Sequence, residues 1–199
     1  MLQTLRQAEI RCFLEVPVFS SRSHYRAHPE WRPITASGEE MKPDGWYHGL
    51  CPNQPALREL RLKELEKRLR YSLFDGYWLD FIRYPVHWEK KNPRIEDSCF
   101  CPECLRRFKA FASLDLPSAT PAAATQILER HLPAWVRFRI HTIASWVAEA
   151  EGLRTQLHPQ ALLGLFLVPW GIEEGRMGRI VGQDVQVLAA SIDIFSPML

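Results

Sequence analysis

Short runs of consecutive apolar residues alternate along this chain with stretches whose apolar residues recur every three or four positions. The runs are Ile10–Phe19, Asp75–Pro85, Ala161–Val168 and Ile192–Phe195. Continuous, β-prone and bounded by turn residues, they predict buried strands of a parallel sheet. The periodic stretches predict helices over 56–71, 134–151 and 179–190, with shorter helical segments over 2–8, 99–113 and the second half of 114–132. Strand and helix in strict alternation is the pattern of a parallel α/β domain. Four parallel strands leave two bare edges, which natural proteins avoid. The chain is therefore expected to be one domain over 1–199, part of a larger barrel, its edges covered by a second copy or by the missing barrel half.

The helix over 56–71 is the most clearly marked. Leu57, Leu60, Leu65 and Leu69 stripe one side, Pro55 suits the first turn, and Glu59–Lys63, Glu64–Arg68 and Glu66–Arg70 are pairs four apart. It feeds into Asp75–Pro85, where one acid, Asp80, and one base, Arg83, interrupt an aromatic and aliphatic strand. The two-residue period puts Trp78, Asp80 and Ile82 on one face and Tyr77, Leu79, Phe81 and Arg83 on the other. With the bulkier set against helices, Asp80 points into the barrel near its carboxyl-terminal mouth, where barrel enzymes keep their chemistry. Arg83 is expected to lower the Asp80 pKa and make it a nucleophile or base, or simply to pair with it. Pro17 is expected to end strand pairing near Val16, which makes Glu15 a second acid near a strand end. Residues 20–54, with many His, Pro, Gly and Trp, read as a binding loop.

Composition narrows the class. A length of 199 residues allows a single good core, and a net charge of +2 gives no footprint for nucleic acid. No apolar run approaches a membrane span, and the N-terminal residues have no signal-peptide core, which leaves the compartment open.

The cysteines change the picture more. Cys99, Cys101 and Cys104 stand as C-x-C-x-x-C at a helix start, with Cys51 in the loop before the preceding helix. Four thiolates suit a structural zinc ion in a closed tetrahedral site; His48 is an alternative to Cys51. Packed reduced thiols, or a disulfide with free remainder, are the other readings. Cys12, inside a strand, reads as a small buried hydrophobe.

Cys51 followed by Cys99-Phe100-Cys101-Pro102-Glu103-Cys104 resembles the zinc cluster of certain bacterial β-galactosidases with TIM-barrel catalytic domains. Three further pieces, His28-Pro29-Glu30-Trp31, Gly49-Leu50-Cys51-Pro52-Asn53 and Asp75 to Pro85, resemble glycoside-hydrolase-like TIM-barrel families. The resemblance covers most of 9–112 and, more weakly, the strands near 161–168 and 192–198. It implies an α/β fold of the (β/α)8 type in which the four strands are barrel strands three to six. It also implies glycoside hydrolysis of an oligo- or polysaccharide. The chain departs from the β-galactosidases in lacking their Asn-Glu pair at the end of strand four, and strands one, two, seven and eight have no counterpart.

Glycoside hydrolysis needs two carboxylates flanking the bond. Asp80 is the first candidate, Arg83 its modulator, and Glu15, Glu173 and Glu174 compete for the second place. Trp31, Trp46, Tyr47, Tyr84, Trp88 and Trp170 are candidate sugar-stacking residues, Glu173 a further substrate contact, and aromatic plugs for the barrel mouth are their bland alternative. A non-catalytic barrel that binds saccharide or a partner is the main competing reading. A zinc-dependent hydrolase ranks last, since four cysteines leave no open position for water.

Overall fold

A computed structural model describes residues 2–71, 73–93, 95–169 and 176–198. The elements in order are α1 (Leu2–Gln7), β1 (Phe13–Pro17), α2 (Arg22–Ala27), a 3-10 turn (Pro29–Trp31), α3 (Pro55–Arg70) and β2 (Gly76–Asp80). Then follow α4 (Pro102–Ala112), α5 (Thr120–Arg130), α6 (Leu132–Leu157), β3 (Leu162–Leu167), α7 (Arg176–Val181), α8 (Val185–Leu188) and β4 (Ile194–Pro197). The four strands form one parallel sheet in the order β1-β2-β3-β4. No helix among the described residues is long and apolar enough to cross a membrane.

One face of the sheet is buried and the other is not. Val16, Tyr77, Leu79, Leu163 and Leu165 are buried in the core with residues of α3 and α6. The alternate residues Glu15, Trp78, Asp80, Phe166, Ile194 and Ser196 keep partial or full exposure. The expected assignment of Trp78 and Asp80 to one face, and Tyr77 and Leu79 to the other, holds.

It fails beyond Asp80. Phe81 adopts a left-handed backbone, φ 51°, which ends the alternation. Its ring joins Trp46 and Tyr47 instead of the helices, at 5.9 and 5.7 Å between centroids, and Ile82 turns into the core. Such a conformation in an aromatic residue is costly and persists where its surroundings fix it. Here the Asp80 carboxylate accepts the Phe81 N–H at 2.7 Å.

Strand pairing also outlasts the expected stop at Val16. The amides of Val18 and Phe19 still donate to Asp80 and Phe81 carbonyls, at 2.9 and 3.2 Å. Pro17 costs nothing there, because its missing N–H falls on the outer edge of an edge strand. The helix expected over 179–190 is two helices. Gly182, at φ 73°, separates them, and a side chain there would come within 2.8 Å of the Arg139 carbonyl oxygen.

In α3, Leu57, Leu65 and Leu69 are buried as expected, and so are Arg58 and Arg61. Arg58 donates to the carbonyls of Pro52 and Thr142, to Ser145 and to Glu149, which binds α3 to α6. Glu59–Lys63 and Glu66–Arg70 pair at 2.6 Å, whereas Glu64 pairs with Arg61 at 2.7 Å.

Candidate active site and metal centre

Two sites flank the end of β2, one on the open face of the sheet and one beneath its helices. On the open face, β1 and β2 run in register, Glu15 opposite Trp78 and Pro17 opposite Asp80. Glu15 and Asp80 thus share that face, within hydrogen-bonding reach of each other. Burial pushes the Asp80 carboxyl up to about 6, and Glu15 adds to the rise. The Phe81 N–H and Arg83 pull the other way without prevailing. Arg83 lowers Asp80 as expected, but burial outweighs it, which corrects the expectation of a lowered carboxyl acting as nucleophile or base. The Arg83 guanidinium is buried over the Phe81 and Tyr47 rings, at 5.4 and 5.9 Å, with Glu89 at 3.6 Å. From there it acts on Asp80 only through space. An acid whose charged form is disfavoured holds its proton nearer neutrality, as a general acid requires.

Around Phe81, the residue after Asp80, the loops supply aromatic rings. Trp46 is 59% exposed, and its ring meets Phe81, Tyr47 and His87 at 5.9, 5.9 and 5.2 Å. Tyr47 lies buried beneath it, its hydroxyl accepting the Val86 N–H at 3.2 Å. The two loops are joined by the ion pair of Asp44 with Lys90, and Asp44 also lies 3.4 Å from the His87 ring. Their space toward solvent is a cleft of about 480 Å³ lined by Tyr47, His87, Glu39, Lys42 and Glu96 among others. The expected binding loop is thus ordered, with Trp46 as its exposed ring.

The other aromatics sort differently. Trp88 is half-buried at the rim, packed against the core. Trp31 is buried, stacked on His28 at 3.7 Å, and its carbonyl accepts the Cys51 N–H; it supports the cysteine loop. Tyr84 is fully buried, with its hydroxyl accepting from Asn53 at 2.7 Å. Both belong to the core and offer no face to a ligand. Trp170, Glu173 and Glu174 lie outside the described residues.

Beneath the helices, Cys51, Cys99, Cys101 and Cys104 are all buried, their sulfurs within 4.8 Å of one another. Cys51 is 3.6 Å from Cys101 and 3.4 Å from Cys104. A disulfide needs about 2.05 Å, whereas a tetrahedron with about 2.3 Å metal–sulfur bonds has sulfur–sulfur edges of about 3.8 Å. The packing suits a metal and not a disulfide. Donors surround the sulfurs: the Ile34 N–H reaches Cys99 at 3.3 Å and the Asn53 amide reaches Cys104 at 3.2 Å. Cys101 caps α4, whose N-terminal end favours negative charge. Burial pushes the Cys51 and Cys104 thiols up, while hydrogen bonds from Cys104, Cys51 and Cys99 hold Cys101 down. His48, the alternative ligand, instead bonds the Trp46 carbonyl at 2.8 Å.

Sequence reasoning missed Arg139. It is buried on α6, donates to the carbonyls of Ser98 and Ile180, and stacks on Tyr84 at 4.1 Å. Burial disfavours its charge; Tyr84, Asp97, Cys104 and Cys99 favour it. An arginine inside a helical period gives no sign of this until its neighbours are known. Arg139→Met should cost about 3 kcal/mol of stability, since it strands two buried carbonyls. Urea unfolding is the check, and a loss below about 1 kcal/mol would contradict this role.

No protein-family model matches the chain, and no curated protein sequence matches it. Solved structures do. A β-galactosidase from the Antarctic haloarchaeon Halorubrum lacusprofundi superposes with a TM-score of 0.71 at 15% identity, covering 100% of this chain and 31% of that one. The PgaB (BpsB) glycoside hydrolase domain of Bordetella bronchiseptica gives 0.70 at 16% identity, covering 98% and 53%. A β-galactosidase from Bacillus circulans sp. alkalophilus gives 0.67 at 14%, covering 100% and 31%. This chain thus spans about a third to a half of these three chains. At these identities the likeness is one of fold: the described residues form a parallel α/β segment with the fold of TIM-barrel glycoside hydrolases.

Proposed function

We propose that this chain carries part of a glycoside hydrolase active site, with Asp80 as the acid, Trp46 as the sugar-stacking ring and a structural zinc ion held by Cys51, Cys99, Cys101 and Cys104. The observation that carries the reading is a proton-holding carboxyl at the carboxyl end of β2, followed in the chain by Phe81, whose ring meets the exposed Trp46. Barrel enzymes place chemistry at that end, and a raised carboxyl suits protonation of a leaving oxygen. Several solved structures of this fold are named as β-galactosidases or glycoside hydrolases, so saccharides are the substrate class to test.

Glu15, on the neighbouring strand of the same face, adds to the rise of the Asp80 carboxyl and so tunes it. The zinc, when bound, ties the loop before α3 to the start of α4 and leaves no ligand position for water. Asn53, Gln54 and the Ile34 N–H orient the sulfurs from outside.

A saccharide-binding chain without catalysis is the second reading, favoured by Glu15 being the carboxyl next to Asp80. Calorimetry with an oligosaccharide panel and hydrolysis of aryl glycosides separate the two. Trp46→Ala should weaken saccharide binding about tenfold, because stacking contributes roughly 1 kcal/mol beyond buried area. No binding by any saccharide, or binding indifferent to Trp46→Ala, would sink the proposal.

A further inference from the structure

The two loops around Trp46 meet on a buried histidine that the proposed chemistry does not use. The His87 side chain is only 10% exposed. Tyr47 stacks on its ring at 5.7 Å and Trp46 meets it edge-on at 5.2 Å. Both ring nitrogens are buried, and neither makes a hydrogen bond. Each nonetheless faces a carboxylate, with Nδ1 3.4 Å from Asp44 Oδ2 and Nε2 3.9 Å from Glu89 Oε2. A neutral imidazole carries one N–H and one lone pair, so either tautomer turns a lone pair toward one of these anions. Only the doubly protonated ring can donate to both.

The surrounding charges set the terms. The Lys90 ammonium bonded to Asp44 holds that carboxyl below its ordinary value, so Asp44 stays an anion over the range in which histidines titrate. Glu89 lies between His87 and the buried Arg83, whose guanidinium is 3.6 Å from it. Lys90 and Arg83 thus oppose a further cation, while the carboxylates that the ring nitrogens face favour one. Burial keeps Tyr47 a neutral phenol, and Glu39, Lys42 and Glu96 line the same cleft. Asp44 and Tyr47 also exchange backbone hydrogen bonds at 3.2 and 3.1 Å, which closes the turn that carries Trp46. We propose that His87 is a positioning residue for Trp46. On taking a proton it clamps the 44–47 turn to the 87–90 segment, drawing on Asp44 from one side and Glu89 from the other. The Trp46 ring is then held where it meets Phe81, and loss of the proton releases the turn. The consequence for saccharide rests on the function proposed above; the clamp itself rests on the two loops alone.

Assigned NMR spectra of the free protein between pH 8 and pH 5, with amide exchange, test it. The His87 ring and the Trp46 indole are expected to titrate with one shared midpoint. Protection factors of the Asp44 and Tyr47 amides should rise about tenfold as the pH falls, the effect of one charge-assisted hydrogen bond. His87→Phe keeps a ring against Trp46 and Tyr47 but takes no proton, so it should abolish both responses. Asp80 titrates in the same range and precedes Phe81, so Asp80→Asn is the control and should keep them. If His87→Phe fails to fold, the wild type and Asp80→Asn still decide. A Trp46 response that vanishes in Asp80→Asn or survives in His87→Phe overturns the proposal. So does protection that fails to rise with acid. Calorimetry separates the clamp from the function. In Asp80→Asn, saccharide should bind about tenfold more tightly at pH 5 than at pH 8, in step with the clamp. A clamp that closes while no saccharide binds upholds the role of His87 and removes the saccharide reading.

Discussion

Asp80→Asn is expected to leave the protein folded, to lower glycoside hydrolysis by about 10²–10⁴-fold, the usual share of a general acid, and to flatten the stability of the protein between pH 4 and 6. The sign follows from the direction of the shift. Asp80 is raised from 3.8 to about 6 on folding, chiefly by burial. The folded state therefore holds this proton more tightly than the unfolded one. The associated stability is fully present below about pH 4 and is lost as pH rises through about 6. Asparagine cannot ionise, so the variant should melt above wild type at pH 7 and close to it at pH 4. Activity should fall on the alkaline side of about pH 6 in the wild type, as the acid loses its proton. Thermal melts at the two pH values, with rates measured beside them, are sufficient. A variant no more stable than wild type at pH 7 would mean that Asp80 is stabilised as an anion.

Metal removal has the other large expected effect. The four cysteines link Cys51 to Cys104 across a sequence separation of 53 residues, and their burial leaves the thiols without water. Zinc binding to such a set is coupled to folding and contributes several kcal/mol. Protein purified without added zinc should hold about one equivalent per chain, given four thiolates and a closed tetrahedron. Chelation should unfold it, and Cys51→Ser should lower the melting temperature by about 10 °C or more, as a loss of several kcal/mol would in a domain of this size. Full stability after chelation, with all four thiols titrating in the folded state, would remove the metal from the account. Reversible inhibition without unfolding would move it to the chemistry.

What the sequence reveals here is mostly periodicity. The strands, α3, the facing of Trp78 and Asp80, and the gathering of four cysteines follow from period and spacing. What it hides depends on contacts between distant residues. Tyr84 looks like a mouth residue because it ends an aromatic strand; one left-handed residue, Phe81, turns the chain so that Tyr84 meets Asn53 and Arg139 instead. Arg58 and Arg61 look like the polar side of α3 until α6, and the Glu64 and His24 side chains, supply acceptors for them. The nearest base in sequence, Arg83, points to a lowered Asp80 carboxyl, whereas burial, which the sequence hides, outweighs it. The resemblance to glycoside-hydrolase barrels located the fold correctly, and the fold is as far as the likeness goes at 10–18% identity.

The central claim is that Asp80 is a proton-holding acid inside a saccharide site. A carboxyl NMR titration of Asp80, run with and without saccharide, tests it most directly. The account predicts a midpoint near pH 6 that falls in Glu15→Gln, and resonances of Asp80 and of the Trp46 indole that move together when saccharide is added. A midpoint at or below the ordinary 3.8, with both resonances indifferent to every saccharide, would contradict it.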